Sequence, residues 1–233
     1  MAKPLTGIII LLLLVGNIYF YLQSKRKPVL PKVMGVTAPT NTTATPAAIN
    51  STFKYFAPTF EINAEMAKVK NNRTLLKIYA AKNKCNQDYA FIIDMRIPSY
   101  KKRFFVYNLK KDSLINSGFV AHGTGSETFR GELLFSNVPD SRCTSLGKYK
   151  IGASYKGIYG FSYRLQGLDS TNNKALERAI VLHGHACVPD KETDEYPICF
   201  SYGCPMVSPV FLQNLKGYIA KQGKMPILLS IIY

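Results

Sequence analysis

A thiol in a turn of small residues and an imidazole at the end of an apolar run are the two groups in this sequence best placed to do covalent chemistry. Cys204 stands in Ser201-Tyr202-Gly203-Cys204-Pro205, where backbone amides can point at a reacting carbonyl oxygen. Such donors stabilise an oxyanion far better in a dry pocket than in water. His183 closes the run Ala179-Ile180-Val181-Leu182 and precedes Gly184, the pattern of a strand end whose side chain projects into a cleft. An imidazole beside a thiol takes its proton and holds the thiolate. Each residue also has a plain structural reading: a cysteine in a Gly-Cys-Pro turn can be buried and inert, and a strand-end histidine is often merely packed.

The remaining histidines are His122 and His185. His122 leads into Gly123-Thr124-Gly125-Ser126, which is no phosphate loop because no Gly-Lys-Ser/Thr follows. His183, His185 and Cys187 alternate along one strand-like stretch, with Cys199 and Cys204 following, and zinc takes such ligands readily. The sequence lacks a Cys-x-x-Cys hairpin, and Gly184 and Pro189 disturb a regular strand, so neither a metal nor another cofactor is expected.

The elements that must carry these groups are mostly strands. Tyr89 to Met95, Arg103 to Leu109 and Leu114 to His122 are short runs of β-branched and aromatic residues, and Tyr149 to Ala153, Ala179 to His183 and Ile227 to Tyr233 fit the same pattern. A helix is expected over Glu61 to Lys82, where an apolar stripe from Ile62 to Ile78 is broken at Asn71-Asn72. Shorter helices are expected over Asn172 to Arg178 and over Pro209 to Lys221, the latter with Ser208 as N-cap, Pro209 in its first position and Gly223 beyond its end. These elements predict a mainly antiparallel β domain with a few peripheral helices.

Before that domain the composition changes twice. Leu5 to Leu22 is almost wholly apolar, and about 18 such residues span a bilayer as a helix. Bulky Ile18 to Tyr21 offers no clear small-x-small cleavage site, which favours an uncleaved anchor over a secretory signal. The Lys25-Arg26-Lys27 cluster sits, by the positive-inside rule, on the cytoplasmic side, in conflict with a domain outside the membrane. Pro28 to Asn50 is rich in Pro, Thr and Ala without periodicity and reads as a disordered tether. The expected organisation is therefore 1–27 membrane anchor or signal segment, 28–52 linker and 53–233 catalytic domain. Thirty Lys and Arg against 14 Asp and Glu give a net charge of +16, which suits anionic surroundings such as lipid headgroups or wall polymers. No RNA-binding signature, zinc-finger spacing or arginine-rich arm accompanies that charge, so nucleic acid is excluded as a partner.

Several pieces taken in order have a familiar look. Ala121-His122-Gly123-Thr124-Gly125-Ser126, Ser145-Leu146-Gly147-Lys148-Tyr149, Tyr155-Lys156-Gly157, Tyr163-Arg164-Leu165-Gln166-Gly167-Leu168, Ile180-Val181-Leu182-His183-Gly184 and Ser201-Tyr202-Gly203-Cys204-Pro205 resemble the murein L,D-transpeptidase catalytic domain family. The likeness is to the Gly-Cys-Pro branch of these YkuD-like enzymes and runs from about Tyr89 to Tyr233. The resemblance implies a β-barrel or sandwich. It implies Cys204 as nucleophile and His183 as base, the imidazole being oriented by a backbone carbonyl. Ser201, Tyr202, Gly203 and Gly184 are implied as the oxyanion and turn residues, and His122, Tyr155, Arg164 and His185 as residues lining the substrate groove. The implied partner is the peptide stem of peptidoglycan, and the implied place is the cell envelope, with the domain outside the cytoplasmic membrane on its N-terminal helix or secreted. Water in place of an acceptor amine would make the same site a carboxypeptidase or endopeptidase, and a wall-binding module without turnover is the non-enzymatic alternative.

Two departures from the family pattern stand out. The place two residues after the cysteine, an arginine in many members, is Met206, for which Arg164, Lys156 or Arg142 are possible substitutes; and Gly184-His185-Ala186 inserts a second imidazole after the active one. Five cysteines leave four to pair once Cys204 is kept free. Cys187 with Cys199, which bracket one acidic loop, and Cys85 with Cys143 are the expected disulfides.

Overall fold

A computed structural model describes residues 62–129, 131–192, 198–221, 223 and 225–233, with the side chains of 62–67 left out. The expected anchor and linker lie outside the described residues. Among the described residues no helix is long and apolar enough to cross a membrane.

The domain is one eight-stranded sheet with the order β3-β2-β1-β8-β4-β5-β6-β7. Its strands are β1 (Tyr89–Asp94), β2 (Phe104–Asn108), β3 (Ser113–Gly118), β4 (Gly147–Gly157), β5 (Gly160–Gly167), β6 (Val181–Gly184), β7 (Met206–Val207) and β8 (Leu228–Ile232). Pairings are antiparallel except β1 with β8 and β6 with β7. The centre explains itself from sequence. β1 and β8 are apolar at nearly every position because both faces of the sheet are covered there. Phe91, Ile93, Leu229 and Ile231 join one core and Ala90, Ile92, Leu228 and Ile232 the other, as the period of two demands.

Each core has its own helix. Helix α1 (Ile62–Lys82) lays Val69, Leu76 and Ala80 on the second core, and its Asn71-Asn72 pair does not interrupt it. Helix α2 (Pro209–Ala220) buries Phe211, Leu212 and Leu215 in the first; Ser208 caps it by accepting from the Phe211 amide. The residues beyond β3 then carry the chain to the opposite edge. Ala121 bridges Met206, Gly123 bridges Ser201, and the Ala121 amide donates to the Met206 carbonyl at 2.8 Å. The sheet thus bends round until its two edges meet beside Cys204.

Three expectations need correction. Asn172 to Arg178 is a series of turns, not a helix. The buried Asn172 amide is spent on the Lys148 carbonyl and the Asp169 amide, and the backbone bonds mix spans: Ala175 to Asn172, Arg178 to Lys174, Ile180 to Ala175. The third strand ends at Gly118 rather than His122, because the chain leaves its partner to reach β7. Cys85 and Cys143 are both free thiols. Cys85 belongs to the core under α1, whereas the Cys143 thiol donates to the Gly125 carbonyl, so each has surroundings of its own. Cys187 and Cys199 do form a disulfide.

Candidate active site

The Cys204 turn is built from its own hydrogen bonds. The Ser201 amide donates to the His122 carbonyl at 2.9 Å and the Thr124 amide to the Ser201 carbonyl at 2.8 Å, which fixes the turn to the segment after β3. The Ser201 hydroxyl donates to the Cys204 carbonyl at 2.6 Å and accepts from the Gly203 amide at 3.1 Å. Gly203 therefore has its amide engaged inside the turn. What it contributes is shape: φ is +109°, and a Cβ there would stand 2.7 Å from the Cys143 carbonyl oxygen and 3.1 Å from the Arg178 guanidinium.

β6 and β7 bring the thiol to the imidazole strand. The Val181 amide donates to the Cys204 sulfur at 3.4 Å, and His183 pairs with Met206 in the parallel β6–β7 register. Val181 and His183 are two residues apart, about 7 Å of strand. Burial pushes the Cys204 thiol up from its ordinary range, against the Val181 hydrogen bond and the Arg178 charge, which pull it down. Burial likewise pulls His183 down, opposed by its bond to the Gly184 carbonyl and assisted by His185. Its Nδ1 faces the Gly184 oxygen at 3.3 Å, so a proton on Nδ1 leaves Nε2 as the basic nitrogen. Both shifts favour the neutral form of each group.

The other sequence-derived residues fall in different places. His122 is 2% exposed and lies inside the wall: an Arg103 guanidinium nitrogen is 2.7 Å from its Nδ1, and Glu127 is 2.6 Å from its Nε2. Arg103 can only donate, so Nδ1 accepts and Nε2–H donates to Glu127, a neutral ring. Burial and the Arg103 charge push His122 down to about 3. Tyr155 pairs with Ser162, which pairs with His183, so Tyr155 sits two strands away in the same row; the Arg164 guanidinium lies over its ring at 4.6 Å. His185 is exposed, its Nδ1 2.8 Å from the Cys187 sulfur. Met206 is buried among Phe119, Ala121, Val188 and Ile198 and does not face the cleft. The disulfide removes Cys187 and Cys199 as thiolates from any zinc set.

Sequence reasoning missed two neighbours of the pair, Tyr159 and Arg178, and had named Arg142 only as a substitute for the arginine absent at Met206. Tyr159 stacks on His183 with centroids 4.6 Å apart, from a hairpin tip whose other residue, Ile158, is 93% exposed. Two apolar residues between Gly157 and Gly160, in a turn that calls for polar ones, are the signal that was there to find. Arg178 holds the Cys143 carbonyl at 2.5 Å and the Ser136 carbonyl at 2.9 Å beneath the Gly203-Cys204 turn. Arg142 lies over the Tyr202 ring at 4.8 Å.

Residues 61–227 match the family model described as the L,D-transpeptidase catalytic domain. The chain belongs to that family. Solved structures similar to this L,D-transpeptidase domain include an L,D-transpeptidase of Xylanimonas cellulosilytica, at 12% identity over 61% of this chain and 59% of that one, TM-score 0.33. Others are the helical cell shape determining protein Pgp2 of Campylobacter jejuni (12%, 68% and 53%, TM-score 0.37) and L,D-transpeptidase 1 of Mycobacterium tuberculosis (11%, 62% and 62%, TM-score 0.33). The chain thus spans about three-fifths or less of the length of these structures. No curated protein matches.

Proposed function

We propose that this family member is a cysteine acyltransferase acting on peptidoglycan stems, with Cys204 as nucleophile and His183 as general base and acid. The observation that carries the reading is the β6–β7 pairing, which sets the Cys204 thiol against the Val181 amide two residues before an imidazole whose Nε2 is the basic nitrogen. In the first half-reaction His183 Nε2 takes the thiol proton as sulfur attacks the carbonyl of the donor stem's diaminopimelate residue. The C–N bond to the terminal D-alanine breaks, the nitrogen leaves with the proton from His183, and a thioester remains on Cys204. In the second, the amine of a neighbouring stem attacks the thioester, gives its proton to His183, and restores the thiol. Water in that step would give hydrolysis. Backbone amides of Tyr202 and Cys204 are the donors proposed for the oxyanion, since the Gly203 amide is engaged with Ser201.

Burial raises the thiol and lowers the imidazole, which supports proton transfer that accompanies attack rather than precedes it. Residues 1–27 are proposed as the membrane anchor, 28–52 as the tether, and 53–233 as the domain outside the cytoplasmic membrane. Intact mass measurement after incubation with a tetrapeptide stem or a carbapenem tests the chemistry: an acyl adduct forms on Cys204 and none forms on Cys204→Ala. Normal turnover by Cys204→Ala ends the reading.

A further inference from the structure

Resting on that reading, we infer that Arg178 is a positioning residue of the reaction: its guanidinium ties down the segment that seats the Cys204 sulfur and sets a positive charge under the thiol that becomes an anion. Ala179 has φ +53°, in the left-handed region that a residue with a side chain takes only when its surroundings hold it there. That bend wraps one short segment around the sulfur. The Cys204 thiol points at the Ala179 carbonyl at 3.9 Å, and the Val181 amide donates to the sulfur at 3.4 Å. The Arg178 side chain passes beneath the same turn, where a Cβ on Gly203 would stand 3.1 Å from its Nη2 and 3.2 Å from Ile180 Cδ1. A side chain, a carbonyl and an amide of residues 178, 179 and 181 thus converge on residues 203 and 204.

The guanidinium is spent on neutral acceptors. Nη1 donates to the Ser136 carbonyl at 2.9 Å and to Ser145 Oγ at 3.1 Å, and Nη2 donates to the Cys143 carbonyl at 2.5 Å. A planar fork fixes these positions at once, which an ammonium on a flexible stem does not. Among the described residues no carboxylate pairs with Arg178. It is also half-buried, so its charge is less screened than one in water and acts on whatever anion forms nearby. The titratable groups on the segments it touches leave one candidate. The Cys143 thiol is engaged with the Gly125 carbonyl, and Asp169 is paired with Lys148. Tyr149, which meets Arg178 through Ser145 Oγ, is pushed up to about 12 by burial. His183 gains a positive charge in the proposed step, not a negative one. Cys204 is the group that turns negative when its proton leaves, and the Arg178 charge pulls that thiol down against burial.

A pH profile of thiol alkylation on the full chain tests this, because iodoacetamide reacts with the thiolate and needs no substrate. The adduct on Cys204 is located by peptide mapping. Arg178→Gln moves the alkaline midpoint of the rate up by about one pH unit, which leaves about tenfold less reaction at pH 7. Arg178→Lys keeps the charge and the wild-type midpoint, although both variants melt at lower temperature for want of the fork. In concentrated guanidinium chloride the midpoints of all three proteins coincide, which assigns the shift to the fold. An Arg178→Gln midpoint that stays on the wild-type value while the melting temperature falls marks Arg178 as a structural tie alone and overturns the inference. A midpoint of Arg178→Lys displaced as far as that of Arg178→Gln overturns it too. Where Arg178→Gln leaves the domain unfolded, Arg178→citrulline, with the shape of arginine and no charge, takes its place and must show the same displacement; an unmoved midpoint there is equally fatal. Acylation by a carbapenem, which develops the same negative sulfur, falls about tenfold in Arg178→Gln and is restored in Arg178→Lys. If the wild-type protein takes up no carbapenem, the proposed function fails, while the alkylation midpoints still decide the role of Arg178.

Discussion

His122 and His183 are each 2% exposed, and burial pulls both below the ordinary imidazole range, yet the two rings are held differently. His122 has a partner at both nitrogens, Arg103 on one side and Glu127 on the other. His183 has the Gly184 carbonyl at Nδ1 and a flat tyrosine on its face. An imidazole with both nitrogens engaged is a structural link; one with a single engaged nitrogen can carry a proton. Burial alone does not separate a structural histidine from a proposed base, and the count of its partners does.

The sharpest way to break this contrast is to remove each ring in turn. His183→Gln lowers acylation of Cys204 by about 10² to 10⁴, the span of general acid-base contributions, and leaves thermal stability nearly unchanged. His122→Gln does the reverse: the rate stays within a few-fold, while leaving Arg103 and Glu127 without the ring costs ~2 kcal/mol, roughly 4 to 8 °C in Tm for a domain of this size. Single-turnover rates and melting curves on the same two proteins decide it. Comparable rate losses at both would show that His122 takes part in the chemistry.

Acid sharpens the same comparison at smaller amplitude. His122 in the folded domain titrates near about 3, against about 6.5 for a free imidazole. Between those values the unfolded chain binds a proton that the folded one refuses, so stability falls as pH drops from about 6.5 towards about 3. At pH 5 the loss from this one group is ~2 kcal/mol. Urea midpoints at pH 7 and pH 5 should therefore differ more for wild type than for His122→Gln.

The smallest effect concerns the face of His183. Tyr159→Ala opens the ring to water, weakens the desolvation that holds its pKa down, and lets it rise towards the ordinary value. More of the base is then protonated at pH 6, so acylation drops a few-fold there and hardly at pH 8. A pH-rate profile whose acid limb does not move would show that Tyr159 only packs.

How much of this was legible in the sequence depends on whether the cause was local. The apolar runs of β1 and β8, the Ser208-Pro209 start of α2 and the Cys187–Cys199 loop were readable because the residues that decide them are neighbours. The order of motifs also led to the family. β5 was missed although Tyr163-Arg164-Leu165-Gln166 alternates buried and exposed, because polar residues mask the pattern. Asn172 to Arg178 looked helical because periodicity says nothing of an asparagine side chain spent on Lys148 and Asp169. The Arg103–His122–Glu127 chain joins positions 19 and 5 apart, which no local pattern encodes. Nothing in the residue type announces that Arg142 takes a left-handed backbone.

The parallel pairing at the centre of the sheet has a consequence in time. Ala90 pairs with Leu228, so two neighbouring inner strands, β1 and β8, come from opposite ends of the domain and everything between them must be looped out before they join. Such closure is entropically slow, and domains dominated by distant pairings fold on the slower end of the range. β4 also pairs with β8, so the outer half of the sheet that carries His183 is anchored only once β8 has arrived. Until then Cys204 is an ordinary thiol on a loose chain. The Val181 hydrogen bond to its sulfur therefore waits on the last strand of the sheet.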